Sequence, residues 1–159
     1  MANLEELTLY KNKLMQSFCT SEKLPTYLAV EGEPIMYGQD LPYNRVFPYA
    51  HVPQVKDEAR SFICFELEVP TVKSNVIKTI QINVYVISHQ NLMRLPDGGG
   101  MRIDAMASEV DKILNGSLEF GLGTVELMSL RSFNPITGYY GRELKYRVLD
   151  INRSLCAGG

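Results

Sequence analysis

Tryptophan is absent from this 159-residue chain, histidine occurs twice and cysteine three times. The thiols, Cys19, Cys64 and Cys156, are an odd number at wide spacing, with no CxxC pair and no histidine close by. That arrangement signals neither a disulfide framework nor a zinc site. They read as buried or incidental thiols, and Cys64, inside a strand pattern, as packed. Excess charge of one sign is also missing: 16 basic against 18 acidic residues give a formal charge of -2 and a pI near 5.7. No global field draws such a chain to nucleic acid or to an anionic membrane. Long apolar runs are lacking as well. Glu5, Glu6, Lys11 and Lys13 interrupt the first twenty residues, unlike a signal peptide, and no window has the length of a transmembrane helix. The expectation is a protein made in the cytoplasm, with no membrane partner.

What is present is an ordinary folding composition, 45% hydrophobic and 21% charged with 12 Gly and 8 Pro. A chain of this size encloses one hydrophobic core, so a single domain over 1–159 is expected. Its N-terminal helix is expected within 1–20, over residues 4–18, because Leu4, Leu7, Leu14, Met15 and Phe18 recur at three- and four-residue steps. Asn3 and Glu6 have the spacing of a capping box. Residues 25–58 form a long irregular segment in which Pro34, Pro42, Pro48 and Pro53 forbid a helix. Tyr27, Tyr37, Tyr43, Phe47 and Tyr49 are interleaved with those prolines, so the loop packs either on its own core or on a partner.

A ββαββ core follows over 60–152, with a tail at 153–159. In 61–69, Ile63, Phe65, Leu67 and Val69 alternate with Glu66 and Glu68, and Ile80, Ile82, Val84 and Val86 repeat the pattern. Residues 70–75 join these strands as a hairpin. A second helix carries Ile103, Met106, Ala107, Val110, Ile113 and Leu114, and Asn115-Gly116 closes it. Residues 124–133 and 142–151 make another strand pair around Asn134-Pro135 and Gly138. The order α-β-β-α-β-β predicts an α+β fold with a four-stranded, mostly antiparallel or mixed sheet and helices on one face.

Chemistry is sparse. Gly98-Gly99-Gly100 sits between a strand and a helix, where backbone amides cradle phosphates, but it lacks the Gly-Lys-Ser/Thr ending and the GxGxxG spacing. A tight strand-to-helix connection is the better reading. His51 and His89 each stand without a carboxylate–cysteine or carboxylate–serine neighbourhood in sequence. Asp57-Glu58, Glu5-Glu6 and Glu66/Glu68 read as solvated faces. No catalytic, metal-ligating or cofactor-binding residue is identified, and no enzymatic activity is expected.

The stretch NVYVISHQNLMRLPDGGGMRIDAMASEVDKILNGS, then FGLGTVELMSLRSFNP and YYGRELKYRVLDIN, with VFPYAHVPQVKDEARSFICFELEVP upstream, carries a family pattern. It resembles small proteins encoded in the head-tail morphogenesis regions of phages and prophages of Gram-positive bacteria. The order of elements is similar to that of tail terminator, or tail-completion, proteins. That resemblance implies a homo-hexameric ring in the neck of the virion, capping the tail tube and facing the head-closure connector, with the tail sheath as a further partner. DNA would pass through without sequence-specific binding. A head-closure or adaptor protein is the alternative, and a small-ligand or enzymatic domain at residues 98–102 is a second, of another class. A closed ring needs one surface patch that fits another. The candidates are Tyr37, Tyr43, Phe47 and Tyr49 of the aromatic loop, and Arg131, Tyr139, Tyr140, Arg142, Lys145 and Arg147 of the final hairpin. Glu66 and Glu68 are the candidates for facing the DNA channel, where they would repel phosphates.

Overall fold

Alternating β-branched and aromatic residues in the middle and at the end of the chain give two long hairpins, and the helices fold back onto one side of them. The structure, a computed structural model, describes residues 5–54, 56, 58–72, 77–121 and 123–151. Asn3 of the expected capping box, Leu4, Asp57, Leu122, Cys156, the 153–159 tail and the centre of the 70–75 connection lie outside those residues. The elements are α1 (Glu5–Cys19), α2 (Leu24–Leu28), β1 (Val46–Phe47), β2 (Ser61–Val72), β3 (Ile77–His89), α3 (Arg102–Leu114), β4 (Glu126–Phe133) and β5 (Tyr139–Ile151).

The sheet has five strands in the order β1-β2-β3-β5-β4, one more than the alternation announces. The extra strand is the two-residue β1, which pairs parallel to β2 with Val46 beside Ile63 and Phe47 beside Cys64. Two residues inside a proline-rich loop carry no periodicity, so the pattern cannot reveal them. All other pairs are antiparallel. The α+β class and both hairpins stand as expected, although β3 extends beyond the apolar run and β5 starts at Tyr139, not at Arg142. The segment 25–58 is not free of helix, because α2 accommodates Pro25 in its first turn and runs to Leu28.

One sheet face supports the helices. Ile63 and Phe65 of β2, Ile80, Ile82, Val84 and Val86 of β3, and Leu144, Tyr146 and Val148 of β5 are all buried there. α3 lays Ile103, Met106, Ala107, Val110 and Leu114 on this surface, as its 3.6-residue stripe predicts, with Ile113 only half-buried. The Tyr146 hydroxyl donates to Asp111 Oδ1 at 2.9 Å and ties α3 to β5. α1 buries Tyr10, Leu14 and Phe18, and Phe18 meets Phe65 edge to face at 5.7 Å. Full burial of one such side chain contributes roughly 1.5–3 kcal/mol.

The fourth buried residue in that row of α1 is Glu6 rather than an apolar one. Its carboxylate lies 3.2 Å from the Nζ of Lys78, a β3 lysine with no solvent exposure. Asp150 of β5 is 3.9 Å from the same Nζ and accepts a hydrogen bond from the Tyr10 hydroxyl at 2.9 Å. A buried cation between two carboxylates thus fixes the first turns of α1 to the end of the sheet.

Candidate assembly surface

The residues with chemical potential are occupied structurally. His51 stacks on Phe47 with ring centroids 4.0 Å apart and meets the edge of Phe62 at 5.0 Å. His89 Nδ1 accepts from the Asn91 amide at 3.1 Å, and its ring meets Tyr139 edge-on at 5.0 Å. Burial pushes the Cys19 thiol up to about 11 and the Cys64 thiol up to about 12, so both stay protonated at neutral pH. Among the described residues no group of three or more His, Cys, Asp and Glu could hold a metal ion.

The glycine loop is a closed turn. Gly98 and Gly100 adopt positive φ of 76° and 94°, which side chains disfavour. The Gly99 amide donates to Asp97 Oδ1 at 2.8 Å, so a carboxylate of the chain itself holds the position a phosphate oxygen would need. Arg102, which follows, is buried and donates to the backbone carbonyls of Leu92 at 2.7 Å and Tyr27 at 2.6 Å. It anchors the loop to α2.

The sheet face away from the helices has two zones. At one end Phe47, Phe62, Cys64, Ile87 and Tyr139 form a second small core beneath the aromatic loop. Phe47 and Tyr139 are only 5% and 2% exposed, so their expected place at a subunit interface is corrected: they pack inside their own subunit. Tyr37, Tyr43 and Tyr49 project outward from the same loop and are 55%, 66% and 48% exposed. The other zone is an open polar surface in which Glu66 stands opposite Asn83 and Glu68 opposite Gln81. Arg147 and Lys145 continue those two rows on β5. Tyr85 lies among them, its hydroxyl pushed up to about 12 by burial and then by Glu66, Glu143 and Glu68.

Most of the basic hairpin is neutralised locally. Arg142 Nε donates to Asp104 Oδ1 at 3.0 Å and Nη1 to Ser132 Oγ at 3.2 Å. Lys145 pairs with Glu143 at 3.2 Å and Arg147 with Glu126 at 3.3 Å. Arg131 is exposed and makes no ion pair among the described residues, and neither does Glu66 or Glu68. Among the described residues the sequence-predicted basic patch therefore reduces to one unpaired cation, Arg131 on β4.

That strand is the least covered element. Leu127, Met128 and Leu130 are 36%, 50% and 53% exposed along it, and among the described residues β4 pairs only with β5. The helix-side surface beside it carries half-exposed Tyr140 and Met101 above Arg142. Nothing in the alternation marked β4 as an edge. A weaker signal was the consecutive Leu127-Met128, which breaks the period of two and coincides with a register shift between Leu127 and Ser129.

On this scaffold, the YomW family matches residues 10–148. The chain belongs to the YomW family. That family is of phage type, which makes this a phage-associated protein. The YomW match spans every described strand except the last residues of β5, so the exposed β4 edge and the glycine loop lie within the shared region. No curated protein matches the chain.

Proposed function

We propose that this YomW-family protein is a structural subunit of the phage particle, a ring-forming neck protein that caps the tail tube and joins it to the head connector. It acts by assembly, with no bond made or broken. The observation that carries this reading is the sheet left open along β4, where Leu127, Met128 and Leu130 face water. An apolar edge strand is a hazard to a lone monomer and a joint for a subunit. Family membership supplies the phage context, and the resemblance of the element order to that of tail terminators favours the neck. The partners are further copies of the chain, the tail tube protein, the head-closure protein and, in a contractile tail, the sheath. The unpaired Glu66 and Glu68 suit a surface past which DNA slides, because carboxylates repel phosphates.

Deleting the reading frame from the phage tests the reading. Overlong tails are expected of a terminator, whereas normal tails lacking heads identify a head-closure protein. Infectious particles of normal shape made without the protein would refute the neck assignment, as would reproducible substrate turnover by the purified chain.

A further inference from the structure

We infer that copies of this chain join head to tail by sheet continuation, β4 of one copy pairing antiparallel with residues 65–69 of β2 in the next. The inference rests on the ring reading and specifies its joint. β1 covers β2 only at Ile63 and Cys64, so among the described residues no strand pairs with the outer edge of β2 from Phe65 onward. The sheet thus has two open edges, β4 and the second half of β2.

Strand directions fix how these edges meet. β2, β3, β5 and β4 alternate in direction, so placing the β2 of a second copy beside β4, helices on the same side, gives an antiparallel pair. Hydrogen-bond direction fixes which residues face out. The Ile63 amide donates to the carbonyl of Arg45, the residue before β1, at 2.8 Å, so Phe65, Leu67 and Val69 present their backbone groups along the same outer edge. The His89 amide donates to the Arg60 carbonyl at 3.2 Å, toward β2. Alternation through the paired registers of β3, β5 and β4 then turns the amides and carbonyls of Leu130 and Ser132 outward.

Side chains choose the register. Setting Leu130 against Leu67 brings Ser132 to Phe65 and Arg131 to Glu66, with Leu127, beyond the irregularity at Met128, near Val69. The half-exposed apolar side chains then meet on the helix side. On the open side the unpaired arginine of one copy meets an unpaired glutamate of the next. Pairing β4 with a second β4 meets the backbone requirement but puts Arg131 opposite Ser129, Phe133, its own copy or Glu126, and the Glu126 carboxylate is already held by Arg147 at 3.3 Å. The charge pattern therefore selects the head-to-tail joint over a two-fold dimer, and repetition of one rotation closes it into a ring. The register shift between Glu68 and Thr71, together with Pro70, ends the pairing segment after Val69.

The test uses full-length chains carrying C156S. One population also carries R131C and the other E66C. Facing residues at a non-hydrogen-bonded antiparallel position have Cα atoms about 4.5 Å apart. Disulfides span Cα separations of about 4.4–6.8 Å. Oxidation of the mixture is expected to give a covalent dimer containing one chain of each kind, and neither population alone should give it. Sedimentation of R131E should show self-association weakened about tenfold or more, and E66R added to R131E should restore it. A chain that stays monomeric at every concentration overturns both the joint and the ring reading. Oligomers that form without the mixed disulfide, or that ignore the charge exchange, overturn the joint alone.

Discussion

Replacing Lys78 with Met tests the buried charge cluster directly. The methionine keeps the length of the aliphatic stem, so packing is conserved while the cation is lost. Glu6 and Asp150, 8% and 3% exposed, then lose the positive charge set 3.2 and 3.9 Å away. Water cannot replace it at a site this enclosed, and removing one partner of a buried ion pair costs about 3–5 kcal/mol. For a domain of this size, each kcal/mol lowers Tm by about 2–4 °C, so a fall of about 10–15 °C is expected. Thermal melts followed by far-ultraviolet circular dichroism, with urea titration at 25 °C, measure it. Adding Glu6→Gln and Asp150→Asn to Lys78→Met removes the stranded charges and should recover most of the loss. A Tm for Lys78→Met within about 2 °C of the parent would refute the claim that this cluster pins α1.

Other outcomes follow from the same contacts. Gly141→Ala should lower stability by about 1–3 kcal/mol in urea titration, because the new Cβ would run into the Val86 carbonyl oxygen. Tyr146→Phe removes the hydroxyl bound to Asp111 and should cost about 1 kcal/mol by the same measurement. Cys64 carries a folded pKa pushed up to about 12 from an ordinary 9.0, so the unfolded chain loses its thiol proton first. Stability from this group is complete below pH 9 and is lost as pH rises, by about 1 kcal/mol at pH 10, which denaturation across pH 8–10 would register. Cys64→Ser should make that slope shallower, the remainder coming from Cys19, whose thiol is pushed up to about 11 by burial.

The sequence shows those parts of the fold that rest on local periodicity. The stripe of α3 and the alternation of β2 and β3 translate directly into burial, because each follows from where successive side chains point. α1 is instructive in a different way. Leu4, Leu7, Leu14, Met15 and Phe18 set out the expected face, yet the buried row runs Glu6, Tyr10, Leu14, Phe18. Glu6 is admitted by a lysine 72 positions away in sequence, a partner no local pattern reveals. The assembly surface follows the same logic. Arg131, Arg142, Lys145 and Arg147 look equivalent in the sequence, and only the fold shows that Asp104, Glu143 and Glu126 neutralise three of them. Phe47 and Tyr139 likewise resemble the exposed tyrosines until β1 and β5 carry them under the loop.

The shielding of Cys19 and Cys64 matters for any particle built from many copies. Crowded subunits with accessible sulfur would cross-link at random once they left a reducing compartment, freezing misplaced neighbours. With these two side chains sealed inside the fold, their sulfur chemistry is unchanged as the surroundings turn oxidising, and contacts between copies can form, be corrected and form again.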